Sequence, residues 1–283
     1  MELDRTVMKR SCCTLELARR GDALNWTVYA AVGDTALGSV ANGGFVDNEG
    51  MPNGFKGRHF PADFILLCVR WYLKFNISYR HLAEMMQERS FDVHHTTIYR
   101  WIQTYAPQLE KLIRWYQGHT GCSWRVDETY IKVCGQWLYL FRAIDSRGRT
   151  IDFYLSQRRD AGAARRFLAK AVRVRRDWAP SVINTDRNPA YGEAIRKLKA
   201  SKLLDDCVDH RHVKYLNNQL EADHGAIKRR IRSMLGFKSA KTAYATLKGI
   251  EVMRMIRKVQ CILLRPGVAD EVRFFNKLFG VFA

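Results

Sequence analysis

No apolar run in the chain approaches the roughly 18–20 residues that a bilayer-spanning helix needs, which excludes a helical membrane anchor. The nearest to a signal-type segment is residues 26–38, but Thr27, Gly33 and Asp34 interrupt it and acidic residues precede it. No CxxC pair occurs, and the seven cysteines (Cys12, Cys13, Cys68, Cys122, Cys134, Cys207 and Cys261) are odd in number. That excludes a closed disulfide framework and favours reduced thiols in a cytosolic protein. Cys207, His210 and His212 form a metal-like local group, but their spacing fits no zinc template well and they read as strand and loop. Internal repeats and low-complexity tracts are also missing. Acidic residues are scarce: 28 against 47 Lys and Arg, a net charge of +19. With 47% hydrophobic and 27% charged residues the chain is an ordinary globular mixture, not a disordered one. Its positive excess points to a polyanionic partner, nucleic acid or an anionic membrane surface. The expected setting is the cytoplasm and its nucleoid, with no membrane.

The charge is unevenly placed. Residues 1–54 hold five basic and seven acidic residues, which leaves 42 and 21, a net of +21, for the remainder. The opening segment ends in Gly38, Gly43, Gly44 and the loop-like 47–54 stretch, and it keeps no 2 or 3.6 period. It reads as a disordered N-terminal extension (1–54), with Met51 as a candidate start. From Pro61 the period becomes helical, with Phe64, Ile65, Val69, Tyr72 and Leu73 on one face. Ser78 is a candidate N-cap for a second helix carrying Leu82, Ala83, Met85 and Met86. A third helix starts near Thr96 or Thr97. Its Ile98, Trp101, Ile102 and Tyr105 face inward, and Thr96, Arg100 and Gln103 share an outer face. Residues 55–106 thus read as a helix-turn-helix DNA-binding domain, or more plainly as a three-helix bundle. A linker is expected over 107–122, beginning at Pro107.

Strands follow over 124–133, 137–144 and 150–155, with turns at Gly135–Gln136 and Asp145–Gly148. Then come a helix over 161–176, a strand over 181–185, a helix over 189–199, a weak strand around 206–208 and a long helix over 217–234. Three meandering strands followed by β/α alternation predict an α/β mixed sheet with helices on its faces, the order of a ribonuclease H-like, retroviral-integrase-like core over 123–235. Residues 236–283 read as a C-terminal helical region. Its 239–260 stretch carries Ala243, Leu247, Ile250 and Met253 at helical spacing, and it either dimerises or packs on the core.

Three acids stand where such a fold makes a site. Asp127 lies within the first strand, where a carboxylate is costly unless paired or metal-bound. Asp186 ends the fourth strand, where open α/β sheets place ligands. Glu221 opens the long helix, with His224 and Lys228 three and seven residues on. Such separated oxygen ligands suit two Mg²⁺ or Mn²⁺ ions serving phosphoryl transfer. Each residue has a rival role. Glu128 could replace Asp127, although alternation sends it to the opposite face. Asp186 could be a turn or cap residue, Asp223 could replace Glu221, and Lys228, Arg229 and Arg230 could be a solvated run instead of DNA contacts. His224 either positions a group or packs.

Thirty-four residues separate Asp186 from Glu221. Together with Phe55-Lys-Gly-Arg-His-Phe, Thr97-Ile-Tyr-Arg-Trp, Asp127-Glu-Thr-Tyr-Ile-Lys-Val, Asn184-Thr-Asp and Leu235-Gly-Phe-Lys-Ser, the chain strongly resembles DDE transposases of the insertion-sequence-six family from about Phe55 to Gln260. The resemblance implies catalytic, metal-holding acids at Asp127, Asp186 and Glu221 and a basic catalytic partner at Lys228. It implies metal-activated cleavage at each element end to leave a 3′-hydroxyl, in-line attack on target DNA, and cointegrate formation. The expected partners are double-stranded DNA (terminal inverted repeats and target) and a second copy of the chain, at least a dimer. Family members begin close to the Phe55 motif, so residues 1–50 depart from the pattern. Two competing readings are a helix-turn-helix regulator with an inactive core and a ribonuclease H-like nuclease that does not join.

Overall fold

The computed structural model describes residues 55, 58–175, 178–234 and 236–281. The segment expected as an N-terminal extension, with Met51, lies outside the described residues. Three helices come first: α1 (Ala62–Lys74), α2 (Tyr79–Gln87) and α3 (His95–Ile113). The Ser78 hydroxyl caps α2 by accepting from the His81 N–H at 3.1 Å. Helix α3 starts at His95, just ahead of the expected Thr96 or Thr97, and His94 takes its cap position, its Nδ1 accepting from the Thr96 N–H. The apolar faces expected on α1 and α3 are buried as sets: Phe64, Ile65, Val69, Tyr72 and Leu73 on one, Ile98, Trp101, Ile102 and Tyr105 on the other.

The expected 107–122 linker is corrected in its first half. Helix α3 runs through Pro107 to Ile113, and a 3₁₀ turn follows over Arg114–Tyr116. Proline removes one ladder bond and disfavours a helix interior. Here Ala106, Leu109, Leu112 and Ile113 continue the buried stripe, and their burial outweighs that loss.

Next come β1 (Ser123–Val133), β2 (Gln136–Asp145), β3 (Thr150–Ser156), α4 (Ala161–Val174), β4 (Val182–Asn184), α5 (Pro189–Ala200), β5 (Asp209–Arg211), α6 (Asn218–Ser233), α7 (Ala240–Arg257) and α8 (Val268–Leu278). The sheet order is β3-β2-β1-β4-β5. The first three strands form an antiparallel meander, and β4 and β5 join parallel to β1. This is the ribonuclease H-like arrangement. Cys134 and Gly135, both at positive φ, make the tight turn that joins β1 to β2. The weak last strand falls at 209–211 instead of 206–208, because Asp205 folds its own turn: its Oδ1 accepts from the Cys207 N–H at 3.0 Å.

Two cores flank the sheet. Trp124, Val126, Phe141 and Ile183 pack against α4 and α5 on one face. On the other, Ile131, Val133, Leu140 and Phe153 merge with α1, α3, α6, α7 and α8 in one continuous cluster. The stripe of α7 considered for dimerisation (Ala243, Leu247, Ile250 and Met253) is buried in that cluster, so within the chain it packs on the helical unit as well as the sheet. No helix among the described residues is long and apolar enough to cross a membrane.

Candidate active site

Strand β4 pairs with β1 only over Ser123–Arg125. From Asp127 onward, β1 therefore leaves its place beside β4, and an open edge forms at the carboxyl end of β4. An asparagine bracket holds the surrounding elements in register. The Asn184 amide donates to Asn217 Oδ1 at 2.8 Å and to the Val213 carbonyl at 3.0 Å. Asn217 in turn donates to the Val126 carbonyl at 3.4 Å. These contacts tie the end of β4 to the start of α6 and to the residue before Asp127. The three elements that carry the candidate acids are thus fixed to one another by buried amides.

Asp127 is mostly buried, with its Oδ1 accepting the Glu128 N–H at 2.8 Å. Burial raises its pKa to about 7, and the charges of Glu128, Asp186 and Glu221 add to the effect. Asp186 follows β4, and its Oδ1 accepts the Asn188 N–H at 3.1 Å. The cap of α5 is Asn188, whose Oδ1 accepts from Ala190, so Asp186 does not serve as that cap. Burial raises the Asp186 pKa too, against the lowering effect of its backbone bond. Glu221 is exposed in the first turn of α6 and makes no hydrogen bond or ion pair among the described residues. It lines a cavity of about 420 Å³ with Asp127, His224 and Lys228.

One carboxylate oxygen each from Asp127, Glu128 and Asp186 falls within 4.8 Å of the others. Glu128 was expected on the opposite face, and its nearness to Asp127 and Asp186 corrects that separation. Its strand position does point it towards α5, where it accepts from the Tyr191 hydroxyl and pairs with Arg159. The short reach around the open edge still leaves its carboxylate beside the others. Its oxygens are already engaged by donors, whereas Glu221 is free to face a ligand. Asp127 and Asp186, both with raised proton affinity, suit a hard divalent cation, which they could hold with Glu221, water or phosphate oxygens completing the shell.

Asp223, the rival of Glu221, is turned away. It pairs with fully buried Arg142 at 3.3 Å, with Lys258 at 3.0 Å and with Arg254. Burial would raise its pKa, but these cations overcome it and hold the value at about 2. Buried His224 sits beside Asp127, its Nδ1 3.8 Å from Oδ2, too long for a hydrogen bond. Burial, with the Arg142 charge, lowers its pKa to about 3, so the ring is neutral. The Lys228 ammonium lies 4.1 Å from the centroid of the half-exposed Tyr130 ring, at the cavity wall.

Of the expected DNA-contact residues, Thr96 and Arg100 are exposed along α3, and Arg229 is exposed on α6. Gln103 and Arg230 are not. Gln103 donates to Thr246 on α7 at 3.0 Å, and Arg230 is buried, donating to the Tyr72 carbonyl. Both are drawn inward because α7 and α1 cover the faces that an isolated helical unit would leave in water. The sequence reading missed Asn184 and Asn217 as the bracket, Tyr130 as the rest for Lys228, and Arg142 as the anchor of Asp223. An arginine within the apolar β2 run was the one signal in the sequence for the last.

A family model described as a DDE domain matches residues 121–260. The transposase for insertion sequence-like element IS431mec of Staphylococcus aureus strain Mu50 is 41% identical over 210 residues, covering 73% of this chain and 89% of that one. The transposase for insertion sequence element IS257 in transposon Tn4003, also from Staphylococcus aureus, matches with the same identity and coverage. Among solved structures, the HTLV-2 integrase catalytic core domain with magnesium, in its dimeric form, aligns at 16% identity and TM-score 0.37 over 50% of this chain and 91% of that one.

Proposed function

The chain belongs to the insertion-sequence-six family of DDE transposases, and from that membership we propose that it binds the terminal inverted repeats of its own element, nicks each end to leave a 3′-hydroxyl and joins those ends to target DNA in the replicative, cointegrate manner. The observation that carries the reading is the convergence of Asp127 and Glu221 on one cavity with Lys228, with Asp186 beside Asp127 at the open sheet edge.

In this reading Asp127, Asp186 and Glu221 hold the divalent ions, Mg²⁺ or Mn²⁺. When bound, such ions supply an activated oxygen nucleophile and stabilise the leaving oxygen of an in-line displacement. The chain's own residues set the geometry. The asparagine bracket keeps the three acids in fixed relation, and neutral His224 fills the space behind Asp127 without adding a competing positive charge. Lys228, resting on Tyr130, reaches into the cavity as the cation that orients a DNA phosphate. Residues 55–106 act as the helix-turn-helix, with Thr96 and Arg100 at the DNA, and 123–235 act as the catalytic region. Two ends must be held at once, so the active form is at least a dimer. Because the apolar stripe of α7 is buried within the chain, the second copy uses another surface. The site of action is the bacterial cytoplasm, at the nucleoid.

The test is a strand-transfer assay with the element's labelled end, a target plasmid and Mg²⁺, run on wild type and Asp186→Asn with DNA binding scored in parallel. Joined product from wild type alone, at equal binding, is the expected outcome. Binding without cleavage or joining in either protein would instead support a regulator with an inactive core.

A further inference from the structure

Behind α6, between the C-terminal end of α1 and the C-terminal half of α7, lies a second cavity of about 390 Å³. Lys74, Arg229, Arg230, Arg254 and Arg257 line it with Asn76, and no acidic side chain does so among the described residues. So many like charges around one space repel each other unless an anion enters. Acids outside the cavity answer only part of the charge: Glu271 holds Lys74 at 2.7 Å, and Asp223 pairs with Arg254. Arg229 and Arg257 are exposed and have no ion-pair partner among the described residues. Arg230 is only 6% exposed, yet its Nε is buried without a hydrogen-bond partner. The far end of the guanidinium donates to the Tyr72 carbonyl, but a donor such as Nε taken out of water with no acceptor is costly. Burial, with the charges of Arg257 and Arg254, already depresses the Arg230 pKa to about 10.

We infer that this cavity is an anion site that takes a phosphate group, with buried Arg230 as its inner donor and exposed Arg229 and Arg257 at its mouth. Guanidinium forks match phosphate oxygens in pairs, so the three arginines suit this anion better than a carboxylate or halide. The location gives the site a purpose. Arg229 and Arg230 follow Lys228 directly, so one helix presents a cation to the acidic cavity and two more to this one. Helix α1 supplies the opposite wall, so a DNA backbone phosphate seated here would lie against the helical unit and the catalytic helix together. The choice of DNA as the source of the phosphate rests on the proposed function; the anion site itself does not.

The test uses the full chain and an Arg229→Gln/Arg257→Gln double variant, both exposed positions, with circular dichroism confirming the fold. In the first arm, thermal midpoints are measured without DNA in sodium phosphate and in sodium chloride of matched ionic strength. Phosphate is expected to raise the wild-type midpoint saturably by a few degrees and to leave the variant unmoved. In the second arm, affinity for a 30-base-pair duplex is measured against salt. The variant is expected to bind about tenfold more weakly, with a log–log salt slope shallower by about one to two. Loss of the phosphate effect when wild type is saturated with duplex identifies the DNA backbone as the occupant. A phosphate effect that survives saturation, with duplex affinity equal in both proteins, identifies a free phosphate. Wild type and variant indistinguishable in both arms would overturn the site. A phosphate response in a protein that never joins DNA would count against the proposed function and leave the anion site standing.

Discussion

At Asp127 the fold places a carboxylate where ionisation is hardest: in a strand, mostly buried, and facing other acids. Its folded pKa of about 7 lies above the ordinary 3.8. The folded state therefore favours the protonated form. The stability this gives is complete below pH 4 and is lost as pH rises through 7, up to about 4 kcal/mol in all. In EDTA, the thermal midpoint of the wild type is expected to fall between pH 5 and 8, and Asp127→Asn is expected to flatten the fall. A divalent ion in this position takes the proton's place, so Mg²⁺ should raise the wild-type midpoint more at pH 8 than at pH 5. Equal Mg²⁺ effects at the two pH values would separate Asp127 from the ion. The same scale explains the choice among acids. Asp223 is neutralised by three cations and Glu128 is engaged by Arg159 and Tyr191, whereas Glu221 faces the cavity with no such partner among the described residues.

Among the elements, the meeting of α3 and α7 fixes how the helical unit sits on the rest. Gly249 lies at that crossing, and a Cβ built there would stand 2.7 Å from Ala106 Cβ and 2.8 Å from the Leu73 methyls. In an exposed helix Gly→Ala gains about 1 kcal/mol from propensity. Here overpacking against a short, rigid neighbour costs about 1–3 kcal/mol, so the sign reverses. Chemical denaturation of Gly249→Ala is expected to show a net loss; a gain would mean that the helices separate freely. This crossing was illegible in the sequence, because α7 has a diffuse apolar pattern that signals only burial. The strands were legible because β1 alternates, β2 is a short, mostly apolar run, and the turns of the meander carry Gly135 and Gly148 at positive φ. Boundaries failed where a local rule was outweighed: Pro107 did not stop α3, and an aspartate turn displaced the last strand. The positions of the acids were readable from strand ends and spacing. What holds them, Asn184 on Asn217, is a long-range pairing that no local pattern encodes.

For the whole molecule the question is whether the helical unit and the catalytic sheet fold as one. Their apolar residues belong to a single cluster, from Ile65 on α1 through Leu247 on α7 to Leu140 on β2. Through the same region runs a buried ionic link. Arg142 on β2, fully buried, donates to Glu251 on α7 at 2.8 Å and to Asp223 on α6 at 3.3 Å. A buried pair of this kind adds little net stability over a well-packed apolar substitute, but removing one partner strands the other charge at a cost of about 3–5 kcal/mol. Glu251→Gln, which leaves Arg142 only its longer pair with Asp223, is therefore expected to destabilise by up to that amount, while Arg142→Met/Glu251→Leu recovers much of it. Since the apolar cluster spans both parts, tryptophan fluorescence, which samples Trp101 in the helical unit and Trp124 in the sheet, should give one transition. That transition should coincide with the one seen by circular dichroism, and Glu251→Gln should shift both midpoints together. Two separated transitions, with only one moved by the substitution, would show that recognition and catalysis reside in units that fold independently, and that the shared cluster does not couple them.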